Sequence, residues 1–326
     1  SVLCMTYNQA SYIEDAMNGF CMQQTTFPFL CIIADDASTD GEPEVIRKYL
    51  DTNFDKIENA LSTEDETDEY FRIYARHKEN KNCYFCVLLL KYNHYSLGKP
   101  KTQSVADLFK SDKYIAMCEG DDYWTDPMKL QKQVDFLEAN PDFSLCFHNV
   151  KVWKQKDGIL VDDFITRDVP SETDIYELAK GNYIHTPSVV FRKDNRVFDA
   201  LKKMGKLVVR DYPMWMLCAQ YGKIKKFDEC MAVYRYGSGL WSDGNGYKKA
   251  ITFMKMLSKQ IVIIENERVK MILEEQSQKY SHHILEMYEQ TKDNYNSVMG
   301  SHAYRLGRFL LKPIYWMKKR INRNKR

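Results

Sequence analysis

The sequence contains no apolar stretch long enough to cross a membrane. Its aliphatic runs, such as "CVLLL" and "IVII", are far shorter than the roughly 18–20 residues that a membrane-spanning helix needs. We expect no secretory signal segment either. Hydrophobic residues make up 44% of the 326 residues and charged residues 28%, which is typical of a globular protein rather than of a disordered chain.

Cysteine is present nine times, but without the spacing of a disulfide framework or a zinc site. Most of the cysteines lie in apolar segments, as is typical of core thiols in a reducing compartment. Cys83 and Cys86 form a single CxxC motif with no second pair at zinc-ribbon spacing. We therefore expect both thiols to pack within a strand, and a metal site there is the less favoured alternative.

Acidic residues are absent from residues 305–326, which contain nine lysines or arginines. The other 304 residues contain 38 basic and 45 acidic residues, a net charge of about −7. Large apolar side chains, including Trp316, alternate with the basic ones in this tail. That composition is typical of a segment that adsorbs to an anionic membrane surface. Docking on the acidic body is the alternative, and nucleic acid is not an expected partner.

Hydrophobic periodicity predicts an α/β fold. Apolar strands at "SVLCMT", "FLCIIAD", "CYFCVLLL" and "YIAMC" alternate with helices at "SYIEDAMNGFC", "GEPEVIRKYL" and "TQSVADLFK". Ser11 and Glu14 have the spacing of a capping box for the first helix. The acidic stretch 51–82 is expected to form a solvated helix or a surface excursion. Later segments predict further strands, one of them beginning at His185, and a helical region from Tyr247 to about Asn294.

Three of the predicted strands end in polar or acidic residues. These clusters are Thr6–Asn8, Asp35–Ser38 and Glu119–Asp122. Ligands bind at the carboxyl ends of strands in open parallel sheets, so neighbouring strands would bring the clusters to one rim. Several carboxylates flanked by Lys99 and Lys101, without nearby histidine or cysteine, are typical of a site for a hard cation and a phosphate. A capping role explains one of the carboxylates after residue 118, but not all three.

In this order, "SVLCMTYNQASYI", "LCIIADDASTDGEPEVI" and "YIAMCEGDDYWTDPMKLQKQVDFLEANPD" resemble the family 2 glycosyltransferases of the GT-A fold, especially bacterial enzymes that build surface polysaccharides. The resemblance covers residues 1–240 and implies a Rossmann-like mixed sheet flanked by helices. It implies a nucleotide-sugar half over about 1–125 and an acceptor half over about 126–240. A helical extension over 241–300 and a basic amphipathic tail over 301–326 would follow.

The activity that the resemblance implies is inverting transfer of a sugar from a nucleoside diphosphate sugar to an acceptor hydroxyl. A UDP-sugar is the favoured donor, and a glycan or lipid-linked molecule in cell-surface polysaccharide synthesis is the acceptor. Mn²⁺ or Mg²⁺ is the expected cofactor. With the basic tail, this implies a cytoplasmic protein held peripherally at the inner face of the plasma membrane.

The resemblance also implies roles for individual residues. Asp121 and Asp122 match the DXD-like metal-binding motif, with Asp122 as the direct ligand, whereas Glu119 stands where the family more often has aspartate. The residues at nucleotide-binding positions are Thr6, Tyr7, Asn8, Asp36, Ser38, Lys101 and Asp121.

The reaction itself requires a carboxylate base, because an acceptor hydroxyl is a poor nucleophile. The candidate is Asp211 in "VVRDYPMWML", at the start of a predicted helix. The family often has Glu-Asp there, and this chain has Arg210 before Asp211. A helix-capping role for Asp211 is the alternative.

Besides Glu119, three more residues are candidates for contacts with the diphosphate or the acceptor, namely Arg235, Trp241 and His185. Arg235 precedes a stretch with four glycines around Trp241, which predicts a mobile lid. The family's histidine after this arginine is absent. His185 is a candidate acceptor contact, with a structural hydrogen-bonding role as the alternative.

Two other functions compete with glycosyl transfer. One is a nucleotidyltransferase-like enzyme, which the lack of a glycine-rich phosphate loop near the N-terminus disfavours. The other is a non-catalytic nucleotide-sugar binding or scaffold protein in which Arg210 pairs with Asp211 and disables the base.

Overall fold

A computed structural model describes residues 1–56, 64–99, 105–237 and 246–306. Within these residues, one mixed sheet of thirteen strands carries helices on both faces. The strands are β1 (Val2–Thr6), β2 (Phe29–Asp35), β3 (Phe54–Lys56), β4 (Glu64–Glu66), β5 (Tyr70–His77), β6 (Cys83–Leu90), β7 (Tyr114–Met117), β8 (Tyr123–Trp124), β9 (Phe143–Lys154), β10 (Ile159–Asp162), β11 (Glu172–Thr173), β12 (Val190–Arg192) and β13 (Lys223–Tyr236). The helices are α1 (Ile13–Cys21), α2 (Glu42–Asn53), α3 (Lys129–Ala139), α4 (Ile175–Ala179), α5 (Asn195–Lys203), α6 (Asp211–Ala219), α7 (Gly246–Ile263) and α8 (Glu267–Gly300).

The main path of the sheet runs β11-β13-β9-β12-β7-β1-β2-β6-β5-β3. Strands β7, β1, β2 and β6 are parallel neighbours, as crossover helices require. Strand β12 is antiparallel to both β7 and β9, and β13 runs parallel to β9. The predicted Rossmann-like mixed sheet is therefore confirmed.

Each face of the sheet has its own apolar core, because successive strand side chains point to opposite faces. On β1, Val2 and Cys4 pack with buried residues of α1, α2 and α3. Leu3 packs on the other face with buried residues of α4, α5, α6, α7 and α8. Helices α7 and α8 thus contribute to the same core as α4, α5 and α6.

Two local predictions, the cap at Ser11 and the strand start at His185, are wrong. Ser11 does not cap α1, which has Tyr12 at its N-cap without a side-chain bond; instead the backbone N–H of Tyr12 donates to the carbonyl oxygen of Gln9 at 2.8 Å. Of the two alternatives for the acidic stretch, the described residues beyond the end of α2 do not form a solvated helix; they form β3, β4 and β5, of which β4 is largely exposed, because pairing with β6 determines the structure of β5. His185 also precedes a 3-10 turn rather than beginning β12.

The two cysteines of the CxxC motif are packed in β6, as predicted. Both side chains are buried, but Cys83 belongs to the core on the α1 side and Cys86 to the core on the other side. Residues three apart on a strand point to opposite faces, so these two thiols cannot bind the same ion.

The predicted helical region from Tyr247 to about Asn294 forms two helices, α7 and α8. The break falls at Ile264–Asn266, where Asn266 caps α8 by accepting a hydrogen bond from the N–H of Val269 at 3.1 Å. Within the described ranges, no helix is long and apolar enough to span a bilayer.

Candidate active site

The ends of β1 and β2 form the first part of the predicted rim. Thr6 and Asp35 are register partners in the parallel ladder, so both strands end at the same level. Behind them lies Glu42, fully buried at the start of α2, whose carboxylate accepts hydrogen bonds from the hydroxyl of Thr6 and, at 2.8 Å, of Ser38. Burial raises the pKa of both Asp35 and Glu42.

The loops after these two strands are tied to each other. The N–H of Asn8 donates to Ser38 Oγ at 2.8 Å, and the N–H of Thr39 donates to Asn8 Oδ1 at 2.8 Å. Asn8 and Ala37 both have positive φ angles, 54° and 61°. A left-handed alanine is uncommon and is retained where surrounding contacts hold it, often at functional sites. Tyr7, 37% exposed, lies on the open side of these loops.

Asp36 is completely buried at the end of β2. Its carboxylate accepts hydrogen bonds from the N–H groups of His94 at 2.7 Å and Tyr95 at 3.2 Å. Asn93 also donates its side-chain amide to the carbonyl oxygen of Asp36 at 3.1 Å. Asp36 therefore anchors the loop after β6, and its predicted contact with a nucleobase stays a prediction.

The acidic cluster is brought to this rim by the chain that follows β7. The N–H of Cys118 donates to the carbonyl of Leu3, and the N–H of Gly120 to that of Met5, so the segment runs alongside β1. A Cβ on Gly120 would lie 2.4 Å from Thr6 Oγ1, so only glycine fits here without displacing the rim.

One carboxylate oxygen from each of Glu119, Asp121 and Asp122 lies within 4.8 Å of the others. Asp122 is 1% exposed, and its Oδ2 is buried without a hydrogen-bond partner among the described residues. Burial, followed by the neighbouring charge of Asp121, raises the pKa of Asp122 well above its ordinary value. An orphaned buried oxygen within an all-oxygen donor set fits a hard divalent cation.

Arg235 holds this cluster from behind. Its backbone N–H donates to Asp122 Oδ1 at 2.8 Å, and its Nη1 donates to the carbonyl oxygen of Asp121 at 2.7 Å. Its Nη2 donates to the carboxylate of Asp15 on α1. The guanidinium also lies over the rings of Tyr12 and Tyr123, at 5.0 and 4.7 Å from the ring centroids. These contacts give Arg235 a positioning role, while its predicted contact with a diphosphate stays a prediction.

Asp211 begins α6, as predicted, and lies half-buried. Burial raises its pKa, while the backbone N–H groups at the start of the helix act in the opposite direction. Asp211 does not form an ion pair with Arg210 in the described structure, and the pKa of Arg210 is lowered by burial. A carboxylate with a raised pKa is suited to act as a general base.

Tyr234 and His185 connect Asp211 with the acidic cluster. Their rings lie 4.7 Å apart, and the charge of His185 acts on Asp211. Burial is the largest cause that raises the pKa of Tyr234. Nearby negative charges raise it further, those of Asp122, Glu119, Asp121 and Asp211. The cluster and Asp211 therefore lie near a single tyrosine.

His185 is itself held by Asp163, whose Oδ2 lies 3.0 Å from His185 Nε2. Partial burial raises the pKa of Asp163, but the bond with His185 and its charge act in the opposite direction, and the pKa is lowered to about 2. Sequence reasoning missed Asp15, Glu42, Asp163 and Tyr234. The adjacency of Tyr234 to Arg235 was the one local signal available for any of them.

Two predicted site residues, Lys101 and Trp241, lie outside the described residues, as does the tail beyond residue 306. Lys99, which flanks the rim in the sequence, is paired with Glu69 at 3.5 Å.

Comparisons with known proteins agree with this architecture. The family described as "Glycosyl transferase family 2" matches residues 1–95. The Mycobacterium tuberculosis protein Rv1520, itself uncharacterized, is 33% identical over 242 residues, which cover 74% of this chain and 60% of Rv1520. Bacillus subtilis TuaG, named for glycosyl transfer in teichuronic acid biosynthesis, is 24% identical over 237 residues, covering 72% of this chain and 78% of TuaG.

Among solved structures, S. aureus TarS 1-349 is similar with a TM-score of 0.52 and 15% identity. The match covers 83% of this chain and 68% of the TarS chain, and at this identity it shows the fold alone. The chain spans about 60% of the length of its mycobacterial relative.

The mixed sheet with helices on both faces and an acidic cluster after a central strand defines a protein of the GT-A fold. Residues 1–95 match the family 2 glycosyl transferases, so the predicted family resemblance is confirmed.

Proposed function

We propose that this chain catalyses metal-dependent, inverting transfer of a sugar from a nucleoside diphosphate sugar to a hydroxyl of a glycan or lipid-linked acceptor. The observation that carries the proposal is the cluster of three carboxylates with the unpaired, buried Oδ2 of Asp122. A UDP-sugar is the favoured donor. The name of TuaG supports a role in cell-surface polysaccharide synthesis.

Asp122 and Asp121 would hold Mn²⁺ or Mg²⁺, with Glu119 at the exposed side of the cluster. A bound divalent cation would supply positive charge to a departing nucleoside diphosphate. The backbone N–H of Arg235 donates to Asp122 Oδ1 and so orients the carboxylate. Oδ2 has no partner among the described residues and would be the oxygen that binds the metal. Such outer contacts fix the direction of metal ligands.

The loops after β1 and β2 would bind the nucleoside. Tyr7 offers an exposed ring for stacking, and Asn8 and Ser38 hold the two loops together. Thr6 lies behind them, bonded to Glu42. These loops are adjacent to the acidic cluster through Gly120, so the donor's base and diphosphate would bind along one continuous rim.

Asp211 would accept the proton of the attacking hydroxyl. Inversion requires a base on the opposite side of the sugar from the leaving diphosphate, and Asp211 is carried by a helix on the acceptor half. The rings of His185 and Tyr234 lie 4.7 Å apart, and the charges of both Asp211 and the acidic cluster act on Tyr234, so these two residues would contact the sugar or the acceptor.

A non-catalytic scaffold is the weaker alternative. It required that Arg210 neutralise Asp211, and in the described structure these two residues form no ion pair.

The basic tail leads us to propose peripheral attachment at the inner face of the plasma membrane, in the cytoplasm. Its support is the run of nine basic residues interleaved with apolar ones at 305–326.

The proposal is tested by calorimetric titration of UDP, GDP and dTDP into the full chain, with Mn²⁺ and then with EDTA. We expect one nucleotide, UDP, to bind in the presence of Mn²⁺ and to lose affinity in EDTA. Asp122→Asn should abolish the metal-dependent part of the binding, because it removes a charged ligand while preserving the shape of the side chain.

Asp135→Asn is the matched control, since Asp135 is an exposed carboxylate on α3 whose contact is with Gln131. Equal nucleotide affinity in Mn²⁺ and EDTA would refute the metal-diphosphate site. Equal losses in Asp122→Asn and Asp135→Asn would show that net charge, rather than ligation, is responsible.

A further inference from the structure

A polar cavity of about 120 Å³ lies in the acceptor half, separate from the strand ends that form the rim. Its walls are the middle of β9, the segment 163–169 after β10, and the residues around Tyr183 and His185. His185 connects this cavity to the proposed site, because it touches Tyr234 on one side and Asp163 on the other.

His148 is the most informative residue of the lining. It is 2% exposed, and its Nδ1 lies 2.8 Å from the carbonyl oxygen of Asn149, so Nδ1 carries the proton and donates it. Burial lowers the pKa of His148 well below its ordinary value, which keeps the ring neutral. Nε2 then offers a lone pair, and it has no partner among the described residues. Buried acceptors without a partner are rare in folded proteins, so this atom calls for a hydroxyl donor.

The charges of the lining are already balanced by partners. Arg167 pairs with Glu177, and Lys226 pairs with Asp168. His185 pairs with Asp163. Because each of these basic side chains has a carboxylate beside it, the lining provides no surplus positive charge for a phosphate or a carboxylate ligand.

Two aromatic rings also line the cavity, together with Asn149, Val150, Thr166 and Val169. The rings of Phe147 and Tyr183 lie 5.5 Å apart, and the guanidinium of Arg167 lies 5.0 Å from the ring centroid of Tyr183. A neutral acceptor nitrogen, a carboxylate and aromatic faces together suit a polyhydroxylated ligand, whose hydroxyl groups and C–H faces meet polar and apolar surfaces respectively.

We propose that this cavity binds a neutral, hydroxyl-bearing sugar unit of the acceptor, with one hydroxyl donating to His148 Nε2. The inference rests on the proposed function and adds a substrate class to it: the end of the acceptor that enters the protein is an uncharged sugar rather than a phosphate-bearing or uronic acid unit. His148 would select the acceptor, and Asp211 would activate it.

The test is nitrogen NMR of the full chain labelled with ¹⁵N-histidine, titrated with the methyl glycosides of glucose, galactose, mannose and N-acetylglucosamine. We expect at least one glycoside to shift the Nε2 resonance of His148 in a saturable way. His148→Phe keeps an aromatic ring but removes the acceptor, and should weaken binding of that glycoside by about tenfold or more, followed in both chains by the resonances of His185, which also lines the cavity. His282→Phe, at an exposed histidine of α8, is the matched control and should bind normally.

Three results would overturn the inference. The first is that no glycoside of the panel moves the resonance, and the second is that inorganic phosphate moves it as strongly as a glycoside. The third is equal binding by His148→Phe and the unchanged chain, since a buried water would then satisfy Nε2. The nucleotide titration is independent of this experiment. Glycoside binding without Mn²⁺-dependent nucleotide binding would refute the proposed function but not the sugar site in the cavity. Mn²⁺-dependent nucleotide binding without glycoside binding would refute the sugar site alone.

Discussion

Asp211 is the residue on which the proposed chemistry depends most directly. Its carboxylate must be ionised to accept a proton, and burial raises its pKa above the ordinary value. Transfer should therefore be lost as the pH falls through this raised pKa, at a higher pH than for an exposed aspartate. Asp211→Asn should lower the transfer rate by about 10²–10⁴-fold while leaving Mn²⁺-dependent nucleotide binding intact.

The measurement is the release of nucleoside diphosphate from the donor, with acceptor or with water as acceptor, over a range of pH. Asp199→Asn, on α5, serves as the control for removal of an aspartate from another helix. An unchanged rate in Asp211→Asn would show that another group is the base.

Lys129 is a buried cation whose titration affects stability rather than catalysis. It is fully buried, with Nζ donating to Gln133 Oε1 at 2.8 Å and lying 4.1 Å from the ring centroid of Trp124. Burial lowers its pKa to about 7. In the unfolded chain a lysine titrates near pH 10.4, so between about pH 7 and 10.4 only the unfolded state holds this proton.

The free energy of unfolding should consequently rise with pH across that window, with a contribution from Lys129 of up to about 1.4 kcal/mol per pH unit. Lys129→Met removes this contribution, and the difference between variant and unchanged chain should shrink steadily from pH 7 to pH 9. Urea unfolding at several pH values measures it. Lys132→Met, on the same helix but partly exposed, should give a difference that is flat over this range.

At the scale of elements, the site depends on a link between α1 and β13. Asp15 on α1 binds the guanidinium of Arg235, and Arg235 in turn holds Asp121 and Asp122. Asp15→Asn would remove a carboxylate that accepts a hydrogen bond from the buried guanidinium of Arg235. We expect a loss of about 1–2 kcal/mol of stability, less than for a fully buried pair because Asp15 is about half exposed.

The same substitution should weaken Mn²⁺ binding by roughly tenfold, as is usual when an outer contact of a metal ligand is lost. Thermal unfolding and calorimetry measure the two effects. Glu14→Gln is the control, because Glu14 is the adjacent exposed acid on α1. Equal Mn²⁺ affinity in the two variants would mean that the link does not position the cluster.

At the scale of the whole molecule, charge is divided between an acidic body and a basic tail. The proposed attachment to membranes predicts that the full chain binds anionic vesicles in a salt-sensitive manner. Replacing Lys318, Lys319 and Arg320 with glutamine should weaken this binding about a hundredfold, at about 1 kcal/mol for each charge. Vesicle sedimentation measures it.

A variant with Lys202, Lys203 and Lys206 changed to glutamine removes the same charge from exposed positions of the body. If both triple variants lose the same affinity, non-specific charge is responsible. If neither loses any, the tail does not bind the membrane surface.

The sequence by itself determined the α/β class, the order of the first strands and helices, and the three polar clusters at strand ends. Each of these follows from local information, because apolar periodicity spans a few residues and a strand's end is marked by the polar residues that follow it. The parallel neighbours β1, β2 and β7 then bring the clusters of Thr6, Asp35 and Asp122 to one rim.

Only the tertiary structure decided how the site is held. Asp15 and Arg235 are separated by 220 residues, and Arg235 and Asp122 by 113, yet they form one hydrogen-bonded unit. Their meeting depends on β12 inserting antiparallel between β7 and β9 and on β13 returning parallel to β9. Periodicity determines which face of a strand is buried but not which strands become neighbours, so contacts between distant residues are decided by the packing of the sheet.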